Sequence, residues 1–79
     1  MPAEATIHLK LFAGLQEFMP LAADRFAIDA GITVGAMLAQ LNIPEDKIKL
    51  VFIDGVKAEL TDTLSGGERV GVFPPVGGG

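Results

Sequence analysis

The chain has 79 residues, room for one domain and too few for two, since independently folding units run from about 50 to 200 residues. It is 49% hydrophobic and 20% charged, too apolar to stay disordered, so a real core is expected. Ten acidic against six basic residues give a net charge of -4 with no basic stripe to neutralise phosphates, which argues against nucleic acid, and the lack of cysteine removes disulfides, thiolate metal ligands and a cysteine nucleophile together.

Residues Thr6 to Phe12 alternate strictly, with Ile7, Leu9 and Leu11 on one face and Thr6, His8, Lys10 and Phe12 on the other, the period of a half-buried strand. In the following AGLQEFMP, Leu15 and Phe18 stand three apart before Pro20, which predicts a helical turn or two. Arg25 to Asp29 places Phe26 and Ile28 on one side and closes at Ala30-Gly31, a second strand. Thr33 then occupies an N-cap position, and Val34, Met37, Leu38 and Leu41 follow at the spacing of one buried helical stripe, stopped by Asn42 and Pro44. This is the one substantial helix, and Met37 reads as core filling. Leu50 to Ile53 is a continuous apolar run, and Asp54-Gly55 before Val56 predicts a hairpin into a short fourth strand. TDTLSGG is turn chemistry around Leu64, and Glu68 to Phe73 resumes alternation with Val70 and Val72 inward. Such an order predicts an α+β fold, a mixed, mostly antiparallel sheet with one main helix packed on one face.

No chemistry-bearing cluster stands out in the body of the chain. His8 shares its strand face with Lys10 and has no nucleophile pattern beside it, so it reads as a solvated strand residue. The carboxylates are scattered and not spaced with histidine as metal ligands would be, so no metal site is expected. SGGERVG leads into a strand, without the lysine and hydroxyl residue of a phosphate loop. No apolar run reaches the roughly 18 residues of a membrane span, and MPAEAT lacks the basic start of a secretion signal. No membrane partner is expected, and the cytoplasm is the expected compartment.

The unusual group is the end, VFPPVGGG. Pro74-Pro75 favours an extended exit from the sheet, while Gly77, Gly78 and Gly79 lack Cβ atoms, can thread a narrow channel, and leave the last carbonyl carbon open to attack. Extended, the segment from Pro74 onward reaches roughly 20 Å, enough to enter a neighbour's active site. The glycines alone would fit a frayed end or an expression remnant equally well, but a stiff apolar lead-in of Phe73, Pro74, Pro75 and Val76 has no place in one. The chain is thus expected to divide into a folded body, 1–73, and a tail, 74–79. Alternation sets Phe12 and Phe73 opposite the inward residues of their strands, which makes Phe12, Phe73, Pro74, Pro75, Val76 and Gly77 the expected partner-binding residues, with the alternative that Phe12 folds over the sheet edge as core.

Phe73-Pro74-Pro75-Val76 with Gly78-Gly79 resembles the ending of the molybdopterin-synthase small subunit and its ThiS-like relatives, ubiquitin-fold sulfur carriers of the MoaD/ThiS family. LFAGLQE, Leu11 to Glu17, and the stretch from Leu64 through Val70 are similar to the same family's first turn and its entry into the last strand. Gln16 stands where these proteins often carry arginine, and Gly77 where alanine or serine is usual. The resemblance implies a ubiquitin-like β-grasp fold and a protein that is no enzyme by itself. An E1-like adenylating enzyme would spend ATP to convert the Gly79 carboxylate to an acyl-adenylate, with Gly78 beside it, and a sulfur donor system would make it a thiocarboxylate. The large catalytic subunit of molybdopterin synthase would then take the sulfur for molybdenum-cofactor synthesis, with no cofactor bound by this chain directly. The same terminal chemistry also serves thiamine thiazole, cysteine and tRNA thiolation pathways, and a ubiquitin-like adaptor or protein modifier is the reading of a different class.

Overall fold

The computed structural model describes residues 5–20 and 22–75. Strand β1, Ala5–Leu11, alternates buried and exposed along its whole length, as its sequence period requires. The chain leaves it through a 3-10 turn, Ala13–Phe18, which buries Leu15, and a second, Ala23–Arg25, before strand β2, Phe26–Ile28. Helix α1, Val34–Gln40, follows, then a third 3-10 turn, Glu45–Lys47. Strands β3, Leu50–Ile53, β4, Val56–Ala58, and β5, Arg69–Phe73, complete the order.

The five strands form one sheet in the order β2-β1-β5-β3-β4. β1 and β5 lie parallel at its centre, with Leu9 opposite Val70 and Leu11 opposite Val72, and every other pairing is antiparallel. This is the expected ubiquitin-like β-grasp: the first and last strands side by side, with the helix against one face. The hairpin between β3 and β4 turns where expected, Asp54 and Gly55 both taking positive φ (52° and 84°), the combination that matches the right-handed twist of the flanking strands.

Helix α1 is only 7 residues long, so its ends carry much of its stability. The Thr33 side-chain oxygen accepts from the Ala36 N–H at 3.1 Å, while the Val34 and Gly35 N–H groups donate to Asp62 and Leu60 carbonyls, each at 2.8 Å. The donors of the first turn are therefore satisfied by the cap and by one loop. At the other end Asn42 takes φ 63°, its N–H donates to the Ala39 carbonyl, and the Ile43 N–H reaches back to Leu38. That is a Schellman ending with asparagine in the usual glycine position, and it buries Ile43 against the helix it terminates.

The core lies between α1 and one sheet face: Ile7, Leu9, Leu11, Val51, Val70 and Val72 from the strands meet Val34, Met37 and Leu38 from the helix, with Leu15 and Leu64 closing the ends. Each such side chain contributes about 1.5–3 kcal/mol by leaving water. No charged or polar side chain is buried among the described residues, so the core asks for no internal ion pair. The loop into β5 crosses beneath β1, and Gly66 is required there: it sits at φ 122°, and a Cβ would lie 3.0 Å from that of Ala5.

Candidate functional site

The site expected from the sequence begins where β5 ends. Phe73 is the last residue of the strand, and its carbonyl accepts from the Lys49 N–H at 2.8 Å. Pro74 and Pro75 have no N–H, so neither can extend the ladder toward β1 or β3, and the chain is released from the sheet at that point. Pro74 is half-buried and Pro75 exposed. Together they border a hollow of about 290 Å³ whose other walls are the first and third 3-10 turns, through Gly14, Leu15, Glu17, Asp46 and Lys47. Gln16 is exposed, and its carbonyl closes the first turn on the Met19 N–H. Val76, Gly77, Gly78 and Gly79 lie outside the described residues.

Phe12 and Phe73 do come together. Phe12 follows β1 directly, and its N–H donates to the Val72 carbonyl at 3.1 Å, continuing the parallel register so that Phe12 and Phe73 fall opposite each other. Their rings stack with centroids 4.2 Å apart and planes 2° from parallel. Both lie on the sheet face away from the helix, half-buried by each other and by their neighbours. Phe12 thus belongs to the outer face and not to the core. Ala13, at φ 53°, then swings the chain away from β1 into its turn.

A third ring was missed in the sequence. Phe52 of β3 meets Phe73 edge to face at 5.7 Å and 86°. A continuous apolar run hides the alternation that a strand imposes, but Val51 and Ile53 pack on the helix side, which sends Phe52 outward. Three of the five phenylalanines therefore make one shelf on the outer face, bordering a hollow of about 600 Å³ with Gly71 at its floor.

The rim of that hollow is basic. His8 and Lys10 from β1 and Arg69 from β5 line it, no carboxylate lines it among the described residues, and the Lys10 ammonium stands 5.8 Å from the Phe12 ring centroid. The turn between β3 and β4 holds Arg69 in place through its backbone. Its N–H donates to the Asp54 carboxylate at 3.0 Å and its carbonyl accepts from the Asp54 N–H at 2.8 Å. The preceding Glu68 carboxylate accepts from the N–H groups of Ser65 and Gly66, at 2.9 and 2.7 Å, and from the Ser65 hydroxyl at 3.1 Å. The Ser65 N–H above all holds the Glu68 carboxyl below the usual carboxylate range. Partial burial opposes that shift, and the Gly66 N–H, Glu68's own N–H and the Ser65 hydroxyl reinforce it.

His8 is exposed, as the alternation predicts, and no group of three or more metal-ligating side chains occurs among the described residues. No helix among them is long and apolar enough to cross a membrane. Among the described residues no acid, base or nucleophile converges on a common point. What the arrangement offers is a surface: a stiff, aromatic, cation-rimmed patch beside the point where the chain leaves the sheet.

Comparison with known proteins agrees with this architecture. No significant match is found among curated proteins. Among solved structures the chain is similar to small archaeal modifier protein 1 of Haloferax volcanii, with 29% identity and a TM-score of 0.66 over 91% of this chain and 99% of that one. It is also similar to the HVO 2177 protein of the same organism, with 25% identity and a TM-score of 0.69 over 96% and 88% of the two chains. A Pyrococcus furiosus protein named as molybdopterin converting factor, subunit 1, shares the fold at 21% identity and a TM-score of 0.63, over 91% and 99%. The sequence profile of the ThiS family matches residues 9–79, from the middle of β1 through the last glycine, and the chain belongs to that family.

Proposed function

We propose that this protein is a sulfur carrier, the small subunit of a molybdopterin synthase, holding sulfur as a thiocarboxylate on Gly79 for molybdenum-cofactor synthesis in the cytoplasm. The observation that carries the proposal is the root of the tail: the central strand of the sheet ends at Phe73, two prolines release the chain, and an aromatic shelf lies beside the exit. Membership of the ThiS family and the Phe-Pro-Pro-Val lead-in support the same role.

In this role the chain supplies presentation, and its partners supply the reaction. A carboxylate is ionised at neutral pH and is a poor electrophile, so an adenylating enzyme must activate it. The Gly79 carboxylate attacks the α-phosphorus of ATP and pyrophosphate leaves. A donor at the sulfide oxidation level then displaces AMP, leaving the thiocarboxylate. Phe12, Phe73, Pro74 and Pro75 dock the body while Val76, Gly77 and Gly78 carry the reacting carbon into the partner, and a larger catalytic subunit takes the sulfur to a pterin precursor.

Deleting Gly79 tests this. ATP–pyrophosphate exchange by the cognate adenylating enzyme is expected to vanish, and intact protein from cells is expected to lose the species heavier by about 16 Da that replacement of oxygen by sulfur produces. Continued exchange by the shortened chain would refute the proposal. Resemblance to small archaeal modifier protein 1 favours one second reading, in which the activated carboxylate is passed to an amine of another protein as an amide bond. Tail-dependent conjugates of higher mass, in place of the thiocarboxylate, would establish it. Co-purification with a pterin-converting subunit separates the molybdenum branch from thiazole, cysteine and tRNA thiolation.

A further inference from the structure

The outer face of the sheet combines two features that a solvated face does not need: three half-buried phenylalanine rings, and a basic rim in a chain whose net charge is -4. The two are built together. β1 and β5 pair in parallel with His8 opposite Arg69 and Lys10 opposite Gly71, so side chains from both strands line the hollow beside the rings, with the Lys10 ammonium 5.8 Å from the Phe12 ring centroid. Gly71, having no side chain, leaves the floor between them open, and a Cβ there would touch the Phe12 ring at 3.4 Å. On the same face Lys57 of β4 stands in register with Phe52 and adds a further cation beyond the hollow.

We propose that this hollow docks a protein segment of acidic character, in which an aliphatic side chain rests on the Phe12–Phe73–Phe52 shelf and flanking carboxylates pair with Lys10 and Arg69. This rests on the outer face being the docking face of the carrier, and it names the chemistry of what docks there. Charge complementarity selects the occupant: Lys10 and Arg69 both line the hollow, no carboxylate lines it among the described residues, and an acidic partner meets that charge while covering the apolar surface. The edges of aromatic rings carry partial positive charge, so carboxylates placed around the shelf meet favourable potential there too. Nucleic acid fits less well. Base stacking needs free ring faces, but Phe12 and Phe73 each spend one face on the other, and Phe52 and Phe73 meet edge to face.

The test uses the isotope-labelled full chain and three probes followed by amide chemical shifts: the blocked peptide Glu-Leu-Leu-Asp-Glu, the same peptide with every acid replaced by lysine, and oligothymidylate. The acidic peptide is expected to move the signals of residues 8–12 and 69–73 at millimolar concentration, to weaken at least about tenfold on adding salt, and to outbind the lysine peptide. Lys10→Glu with Arg69→Glu is expected to reverse that preference. These side chains are exposed, so the fold should persist, and Lys10→Gln serves as a milder variant with a smaller loss in the same direction. Equal binding of both peptides, tighter binding of oligothymidylate, or no binding by any probe overturns the proposal. Pyrophosphate exchange at Gly79, measured on the same protein, keeps the two claims apart, because a chain that is adenylated normally yet ignores the acidic peptide retains the carrier role and loses only this inference.

Discussion

The Phe12–Phe73 stack can be tested by its coupling energy. Each ring is half-buried on the outer face, so truncation to alanine forfeits about half of the 1.5–3 kcal/mol that full burial of a large apolar side chain contributes, together with a stacking interaction of about 1 kcal/mol, for a loss of about 2 kcal/mol. The stack is lost once, whichever ring goes first. The double variant Phe12→Ala/Phe73→Ala is therefore expected to be about 1 kcal/mol more stable than the sum of the single losses. Equilibrium urea unfolding of the four proteins measures this, with the slope checked for constancy so that only stability is compared. Phe12→Leu, which keeps much of the buried area and removes the ring, should lose most of the coupling. As a control, Phe12→Ala with Phe26→Ala, a residue on β2 packed toward the core, should be additive. Additivity of Phe12 with Phe73 within about 0.3 kcal/mol would refute the stack as a source of stability and, with it, the shelf as a rigid surface.

Two further outcomes follow from the same structure. Thr33→Ala removes the only side-chain cap of a helix of two turns and is expected to cost about 1 kcal/mol, with Thr33→Ser recovering most of it, in the same urea assay. Glu68 has a depressed carboxyl pKa in the folded protein, so its contribution is fully present above the unfolded-state value of about 4.3 and is lost as pH falls through the lower folded value. Wild type should therefore be more stable than Glu68→Gln at neutral pH, the difference should shrink on acidification below that range, and a pH-independent difference would remove the hydrogen-bonded carboxylate as its cause.

Local order in the sequence was enough to find β1, the Asp54-Gly55 hairpin and the capped helix, because each is set by residues a few positions apart: the alternation of Ile7, Leu9 and Leu11, two positive-φ residues in a row, a hydroxyl three residues before an N–H it accepts. The 3-10 turns at Ala23–Arg25 and Glu45–Lys47 escaped because three residues cannot show a period and neither turn buries a side chain. The basic hollow escaped for a different reason. His8 and Arg69 are opposite each other only through the parallel pairing of the first and last strands, and the net charge conceals a cluster assembled from distant segments. Phe12 and Phe73 were recognisable as outward-facing from their own strands, whereas their stacking depends on that same pairing.

The parallel pair also governs when the molecule becomes competent. β5 is made last, yet it fills the middle of the sheet between β1 and β3, so a nascent chain that has not yet emerged to Phe73 has two unconnected hairpin-like fragments and no site on which to close its core. The sheet is thus closed and the Pro74 exit set in place by the same few residues, and a chain interrupted before them has neither.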